Sequence, residues 1–205
     1  VPSKEQINKI EPVVESIREV SDIVISIDTR SSEVIKHLTK YKINIVNDIS
    51  SLEDPELLNI ISENNLSVSL MHMQGTPKNM QDNPMYKNVV QDILKYLKGK
   101  VDVCVSNGIS KDRIIIDPGF GFGKSIEHNF EILNNLKEFK KYKKPLLIGL
   151  SRKSMIYKFL NISPDDALNG TSILNMIGLQ NGANILRVHD IKEAKECISL
   201  FSKLN

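Results

Sequence analysis

Apolar residues follow two alternating rhythms along this chain. Short, β-branched runs at Asp22–Ile27, Lys42–Val46, Leu66–Met71, Arg113–Ile116, Pro145–Gly149 and Asn184–Val188 read as strands. Between them, apolar positions repeat at three- and four-residue intervals, as on one face of a helix. Ser31 or Ser32 caps a helix over Ser31–Lys40, with Val34, Ile35 and Leu38 as its apolar face. Asp54 caps the next, over Asp54–Asn64, with Pro55 in its first position. The pattern predicts further helices over Met85–Ser106, Ile126–Lys141, Ser151–Leu160, Ser163 to Asn181 and Ile191–Lys203, and one over Lys4–Val20 before the first strand.

Strand and helix in alternation mean a parallel sheet with right-handed crossovers. A doubly wound open sheet and a (β/α)8 TIM-type barrel both meet that description. The strand ends separate them. Each finishes on a functional side chain: Asp28, Asn47, His72, Asp117, the Ser151-Arg152-Lys153 run, and Arg187 with His189. An open sheet gathers its site at one switch point, whereas a barrel brings every strand end to one mouth. The expected fold is therefore α/β, a TIM-type barrel. A full barrel takes eight units in about 250 residues, and this chain of 205 residues shows about six. It reads as a single, N-terminally truncated barrel domain over residues 1–205, without its first strand, first helix and second strand.

Composition adds exclusions. With 40% hydrophobic and 25% charged residues, the chain is neither disordered nor a disulfide scaffold. A net charge of +2 gives no case for nucleic acid or a membrane surface. The cluster Lys140, Lys141, Lys143 and Lys144 reads as a solvated helix end. Cys104 and Cys197 form no Cys-x-x-Cys pair and sit at helical spacing among apolar residues, as buried thiols of a reduced, cytoplasmic protein would. No apolar run is long enough to span a bilayer.

Side chains alternate across a strand, so Ser26 shares a face with Asp28, Ile45 with Asn47, and Arg187 with His189. Leu186 and Val188 then pack behind, into the helix layer. An Asp accepts two N–H bonds from an aminopyrimidine edge, and an Asn offers both a donor and an acceptor. The alternatives are a helix cap for Asp28 and an Asx turn for Asn47 and Asp48. His72 falls on the opposite face and reads as structural. The loop Asp117–Ser125 looks like a phosphate loop but has Pro118 where that motif needs its first glycine. Its alternating glycines mean close backbone approach, and Phe120 and Phe122 are placed to cover a planar ligand. Lys153 suits a Schiff base, its pKa lowered by a neighbouring Arg, while Arg152 and Lys153 together suit anion recognition. With Arg187 and His189 they point to a phosphate or pyrophosphate substrate.

SIDT (26–29), IVNDI (45–49), LMHMQGTPKNMQ (70–81), DPGFGFGK (117–124), GLSRKSM (149–155) and RVHD (187–190) occur in this order in the dihydropteroate synthase family, which the chain resembles over essentially its whole length. Corrinoid methyltransferase domains share the barrel and parts of the Asp/Asn pocket, but not the later motifs. The resemblance implies a barrel transferase of folate biosynthesis, a sulfonamide target. Its reaction joins p-aminobenzoate to 6-hydroxymethyl-7,8-dihydropterin pyrophosphate, giving 7,8-dihydropteroate and pyrophosphate. It assigns the pterin pocket to Asp28, Asn47, Ile49, Met71, Asp117, Phe122, Gly149, Lys153 and Arg187, with Asp28, Asp117 and Lys153 as the catalytic groups. It assigns pyrophosphate to Arg187 and His189, helped by magnesium (Mg2+), and p-aminobenzoate to Ser154 and the Arg152-Lys153 run. The implied mechanism is dissociative: pyrophosphate leaves, Asp28 and its neighbours steady the pterin cation, and the amine attacks. In that family an Asn on the first-strand loop holds the metal, and a Ser-Thr-Arg-Pro loop follows the second strand. Neither has a counterpart here, so no metal ligand is expected within this chain. The implied partners are the two small-molecule substrates and a second copy paired through the later helices as a homodimer, with no nucleic acid or membrane. Two other readings stay open: a non-catalytic pterin-binding barrel that has lost its metal loop, and a Schiff-base aldolase using Lys153.

Overall fold

The structure, a computed structural model, describes residues 1–76 and 79–204; Pro77 and Lys78 of the 70–81 motif lie outside the described residues. The described residues form two compact units. The first comprises Val1–Met71 and Gly99–Ile115, the second His72–Lys98 and the chain from Ile116 onward.

In the first unit, α1 (Ser3–Val20) precedes β1 (Ser26–Asp28), α2 (Ser32–Leu38), β2 (Ile45–Asp48), α3 (Pro55–Glu63) and β3 (Ser67–Met71). The expected caps are in place. The Ser31 hydroxyl accepts from the Val34 amide, and Asp54 accepts from Glu56, with Pro55 in the first turn. Val34, Ile35 and Leu38 are fully buried, as the spacing requires. The strands are parallel, with Ile27, Val46 and Val68 side by side in register; this apolar row is buried.

Strand β1 is shorter than its apolar run, and Ile23 and Val24 are exposed. The cause is Arg18, at the end of α1. Its guanidinium donates to the carbonyls of Ser21, Ile23, Tyr41 and Lys42 and to Asn44 Oδ1, so the backbone before Ile25 is already hydrogen-bonded outside the ladder.

The chain then runs through α4 (Val89–Ser106), β4 (Ile114–Asp117), α5 (Ile126–Asn134), β5 (Leu147–Ile148), α6 (Ser154–Leu160), α7 (Leu168–Gln180), β6 (Ile185–Leu186) and α8 (Ile191–Leu204). Helix α4 starts later than the expected Met85, because Asn88 Oδ1 accepts from the Gln91 amide and makes Asn88 the cap. Helix α5 opens on a capping box between Ser125 and His128. It stops at Asn134 rather than Lys141: the Asn135 side chain bonds back to the Glu131 carbonyl, and a tighter 3₁₀ turn follows over Leu136–Tyr142.

Among the described residues there are six strands, each leading to a helix, in two sheets of order β1-β2-β3-β4 and β5-β6. Ile116 of β4 bridges in parallel to Leu146, the residue before β5. Both cysteines are free and buried, and burial pushes the Cys104 thiol up to about 11. Among the described residues, no helix is long and apolar enough to cross a membrane.

Candidate active site

In the first unit, register sets the site. Asp28 lies opposite Asn47 in the parallel ladder, so the two side chains share a face, and Asn47 Nδ2 donates to Asp28 Oδ2 at 3.3 Å. The expected alternatives are thereby decided. Ser31 caps α2, which leaves Asp28 exposed at its strand end. The Asx turn belongs to Asp48 alone: its carboxylate accepts from the Ser50 amide (2.8 Å), the Ser50 hydroxyl (2.6 Å) and the Leu52 amide (2.7 Å). Ser51 then donates to the Met71 carbonyl at 2.7 Å, tying the ends of β2 and β3 together. Met71 is buried and Ile49 half-buried. A cavity of about 840 Å³ opens at these strand ends, with Asp28, Thr29, Ile49 and Ser50 in its wall.

In the second unit, the centre is Asp117, at the end of β4. One carboxylate oxygen accepts from the Gly119 amide at 2.7 Å. Burial pushes this carboxyl up to about 6, against the pull of the Gly119 N–H and the charges of Lys124, Lys153 and Arg187. Lys124 is buried too, and burial pushes its ammonium down to about 7. Its Nζ donates to the Phe122 carbonyl (2.8 Å), the His72 carbonyl (3.2 Å) and His72 Nδ1 (3.1 Å). His72 can accept because burial, and then Lys124, hold its pKa down at about 3, so the ring is neutral. Tyr96 and Tyr86 flank that ring.

The glycine loop is held from several sides. Gly121 donates to Asn129 Oδ1 (2.7 Å), the Gly121 carbonyl accepts from Gln81, and the Tyr86 hydroxyl donates to the Gly123 carbonyl (2.6 Å). Gly123 has φ +65°, and a Cβ there would lie 2.4 Å from the Gln74 carbonyl oxygen. The close approach at Gly123 is thus to the protein's own backbone, whereas a Cβ at Gly121 would meet the Lys153 side chain. Phe120 is 1% exposed and belongs to the core, so it does not cover a ligand. Phe122 is half-buried, and Lys153 Nζ sits 4.5 Å from its ring centre, a cation–π contact.

Two expectations for the later strands need correction. The Lys153 pKa is lowered by burial and then by Arg187, not by its neighbour Arg152. Arg152 forms a paired bond with Asp190 (3.1 and 3.0 Å), donates to the Pro164 carbonyl (3.1 Å) and contacts the Asp165 carbonyl. Its fork is occupied within the protein, so it is not an anion site. Strand β6 ends at Leu186, so Arg187 and His189 follow the strand rather than alternate within it. The Arg187 amide donates to the Ile148 carbonyl (2.9 Å) and the His189 amide to the Ser151 hydroxyl (3.2 Å). Both side chains are exposed, and Gly149 and Ser154 are half-buried.

Each unit therefore gathers its own share of the expected residues: Asp28, Asn47, Ile49 and Met71 in the first, and Asp117, Phe122, Gly149, Lys153, Ser154, Arg187 and His189 in the second. Sequence reasoning missed Lys124 and Asn129. The signal for Lys124 is a lysine closing a glycine loop whose spacing fails the phosphate-loop motif. Among the described residues, no three of His, Cys, Asp or Glu come together in a group that could hold a metal ion. One carboxylate among three cations is not a donor set that fits magnesium.

Residues 1–189 match the family described as pterin binding enzyme. Dihydropteroate synthase of Escherichia coli (strain K12) is 42% identical over 198 residues, covering 97% of this chain and 70% of that protein. The crystal structure of Yersinia pestis dihydropteroate synthase with a sulfonamide drug complex is 38% identical, covering 100% of this chain and 74% of that one, with a TM-score of 0.96. Dihydropteroate synthase from Thermus thermophilus in complex with 6HMPPP is 29% identical, covering 100% of this chain and 81% of that one, with a TM-score of 0.92.

Proposed function

The chain belongs to the pterin binding enzyme family, and from that membership we infer that its reaction is that of dihydropteroate synthase. The single observation that carries this is 42% identity across 97% of the chain to an enzyme of that name. It is a transferase. The C–O bond between the pterin methylene and pyrophosphate breaks, the nitrogen of p-aminobenzoate forms the new C–N bond, and that nitrogen loses a proton.

The roles of individual residues are proposals supported by their chemistry. Asp28 and Asn47 present acceptor oxygens on one face of β1 and β2, suited to the N–H groups of a pterin ring. Asp117 offers a second carboxylate whose ionised form is hard to hold without a cationic partner. A pterin N–H edge and a developing ring cation both satisfy it, more so in the transition state. Lys153, steadied over Phe122, donates to a ring acceptor. Arg187 and His189 carry an exposed guanidinium and an exposed imidazole two residues apart just after β6, which suits the oxygens of departing pyrophosphate. Ile49, Met71 and Gly149 supply apolar contact and room, and Ser154 a hydroxyl for p-aminobenzoate. Magnesium rests on the resemblance alone, and no step here runs through it. Residence in the cytoplasm is supported by the two free, buried thiols, and a homodimer by the exposed Ile173, Ile198 and Leu200 of α7 and α8.

Separate titrations of pyrophosphate and 6-hydroxymethylpterin test the anion assignment. Arg187→Ala and His189→Ala are expected to weaken pyrophosphate binding about tenfold or more, and the bare pterin much less. Equal losses for both ligands with a lower Tm would refute it.

A further inference from the structure

The parallel register places a third polar residue beside the Asp28–Asn47 pair. Asn47 lies opposite Ser69 in β3, so Asp28, Asn47 and Ser69 form one row across three adjacent strands, on the same face. At about 4.8 Å per strand the row is roughly 10 Å long, enough to underlie a fused two-ring heterocycle. Its members differ in how they are satisfied. Asn47 spends Nδ2 on Asp28, which leaves its Oδ1 as an acceptor on the same amide. The Ser69 hydroxyl is fully buried and has no hydrogen-bond partner among the described residues.

A buried hydroxyl without a partner destabilises a fold, and such groups are uncommon in native interiors. Its strand neighbours Val68 and Leu70 point to the opposite, helix-facing side, where they are fully buried. An alanine on the Ser69 side would serve packing as well without the penalty. We propose that Ser69 is a further pterin-binding residue, its hydroxyl completing a hydrogen bond to the ring beside the one held by Asn47. This rests on the reading of Asp28 and Asn47 as ring contacts.

The test is Ser69→Ala in the enzyme, with Asn47→Ala alongside. Dissociation constants for 6-hydroxymethylpterin, the KM for p-aminobenzoate and the Tm are measured for each. For Ser69→Ala the pterin constant is expected to rise about five- to tenfold with the p-aminobenzoate KM unchanged. Its Tm should stay level or rise, because an unsatisfied group has been removed. Ser69→Cys, close in volume but a weak donor, should fall between the two and serves if the alanine variant does not fold. Unchanged pterin affinity in Ser69→Ala beside a weakened Asn47→Ala overturns the Ser69 contact and leaves the family reading standing. Unchanged affinity in both overturns the whole row as a ring-binding surface. A lower Tm with both ligands weakened alike makes Ser69 structural and also overturns the proposal.

Discussion

On its proposed role, Asp117 sets stability against function, and Asp117→Asn separates the two. Burial pushes the wild-type carboxyl up from 3.8 to about 6. That difference of about two pKa units corresponds to ~3 kcal/mol by which the folded state resists ionising this group. The sign is fixed by proton count. Between about pH 4 and pH 6 the unfolded chain has released this proton while the folded chain keeps it, so this group's contribution to stability falls as pH rises through that window. An asparagine keeps the shape and can still accept from Gly119 but never ionises. Measured by urea denaturation, the variant should gain roughly 2–3 kcal/mol on wild type between about pH 4 and pH 7.5, and no more above that. On the proposed role its turnover should fall at least about thirtyfold, because a transition-state charge would lose a pre-placed anion, worth ~2–4 kcal/mol. A stability difference that is flat with pH, or that favours wild type as pH rises, would show that the cations around Asp117 outweigh its burial.

Two further substitutions probe the supporting structure. Gly123→Ala combines a left-handed backbone, costing about 1–2 kcal/mol for any other residue, with a Cβ driven 2.4 Å from the Gln74 carbonyl. It should lower the urea midpoint by the equivalent of ~2 kcal/mol or more, and a wild-type midpoint would mean the loop yields freely. Arg152→Ala loses the paired bond to Asp190 and the Pro164 carbonyl contact, with both partners partly exposed, so the Tm should fall modestly while both KM values hold. A raised KM for p-aminobenzoate at unchanged Tm would return Arg152 to the substrate.

What the sequence made legible was periodic. Strand and helix order and the caps Ser31 and Asp54 follow from spacing, and the structure keeps them, while the shared face of Asp28 and Asn47 needs the register between β1 and β2. What it hid depends on partners distant in the chain. The run Ile23–Val24 looks like strand, yet Arg18 takes the Ile23 carbonyl from the end of a helix. Phe120 and Phe122 are equivalent by pattern, and only packing sends one to the core and the other to Lys153. Arg152 and Lys153 are neighbours of one charge, but Arg152 adopts a left-handed backbone, φ 50°, and its side chain meets an aspartate 38 residues away. No local rule distinguishes these outcomes, because each is decided by what a side chain touches.

The pinning of the glycine loop has a consequence for the timing of catalysis. A loop of Gly-x-Gly-x-Gly is by composition the most mobile stretch of the chain, and closing it around a substrate would add an ordering step to every turnover. Here Asn129, Gln81 and Tyr86 have already made the bonds that a closing loop would make. The glycines are used for tight geometry rather than for motion. Ordering entropy for this segment is lost once, when the chain folds, and is not lost again when a ligand arrives. The segment 117–124 is then expected to need little further ordering when a ligand arrives.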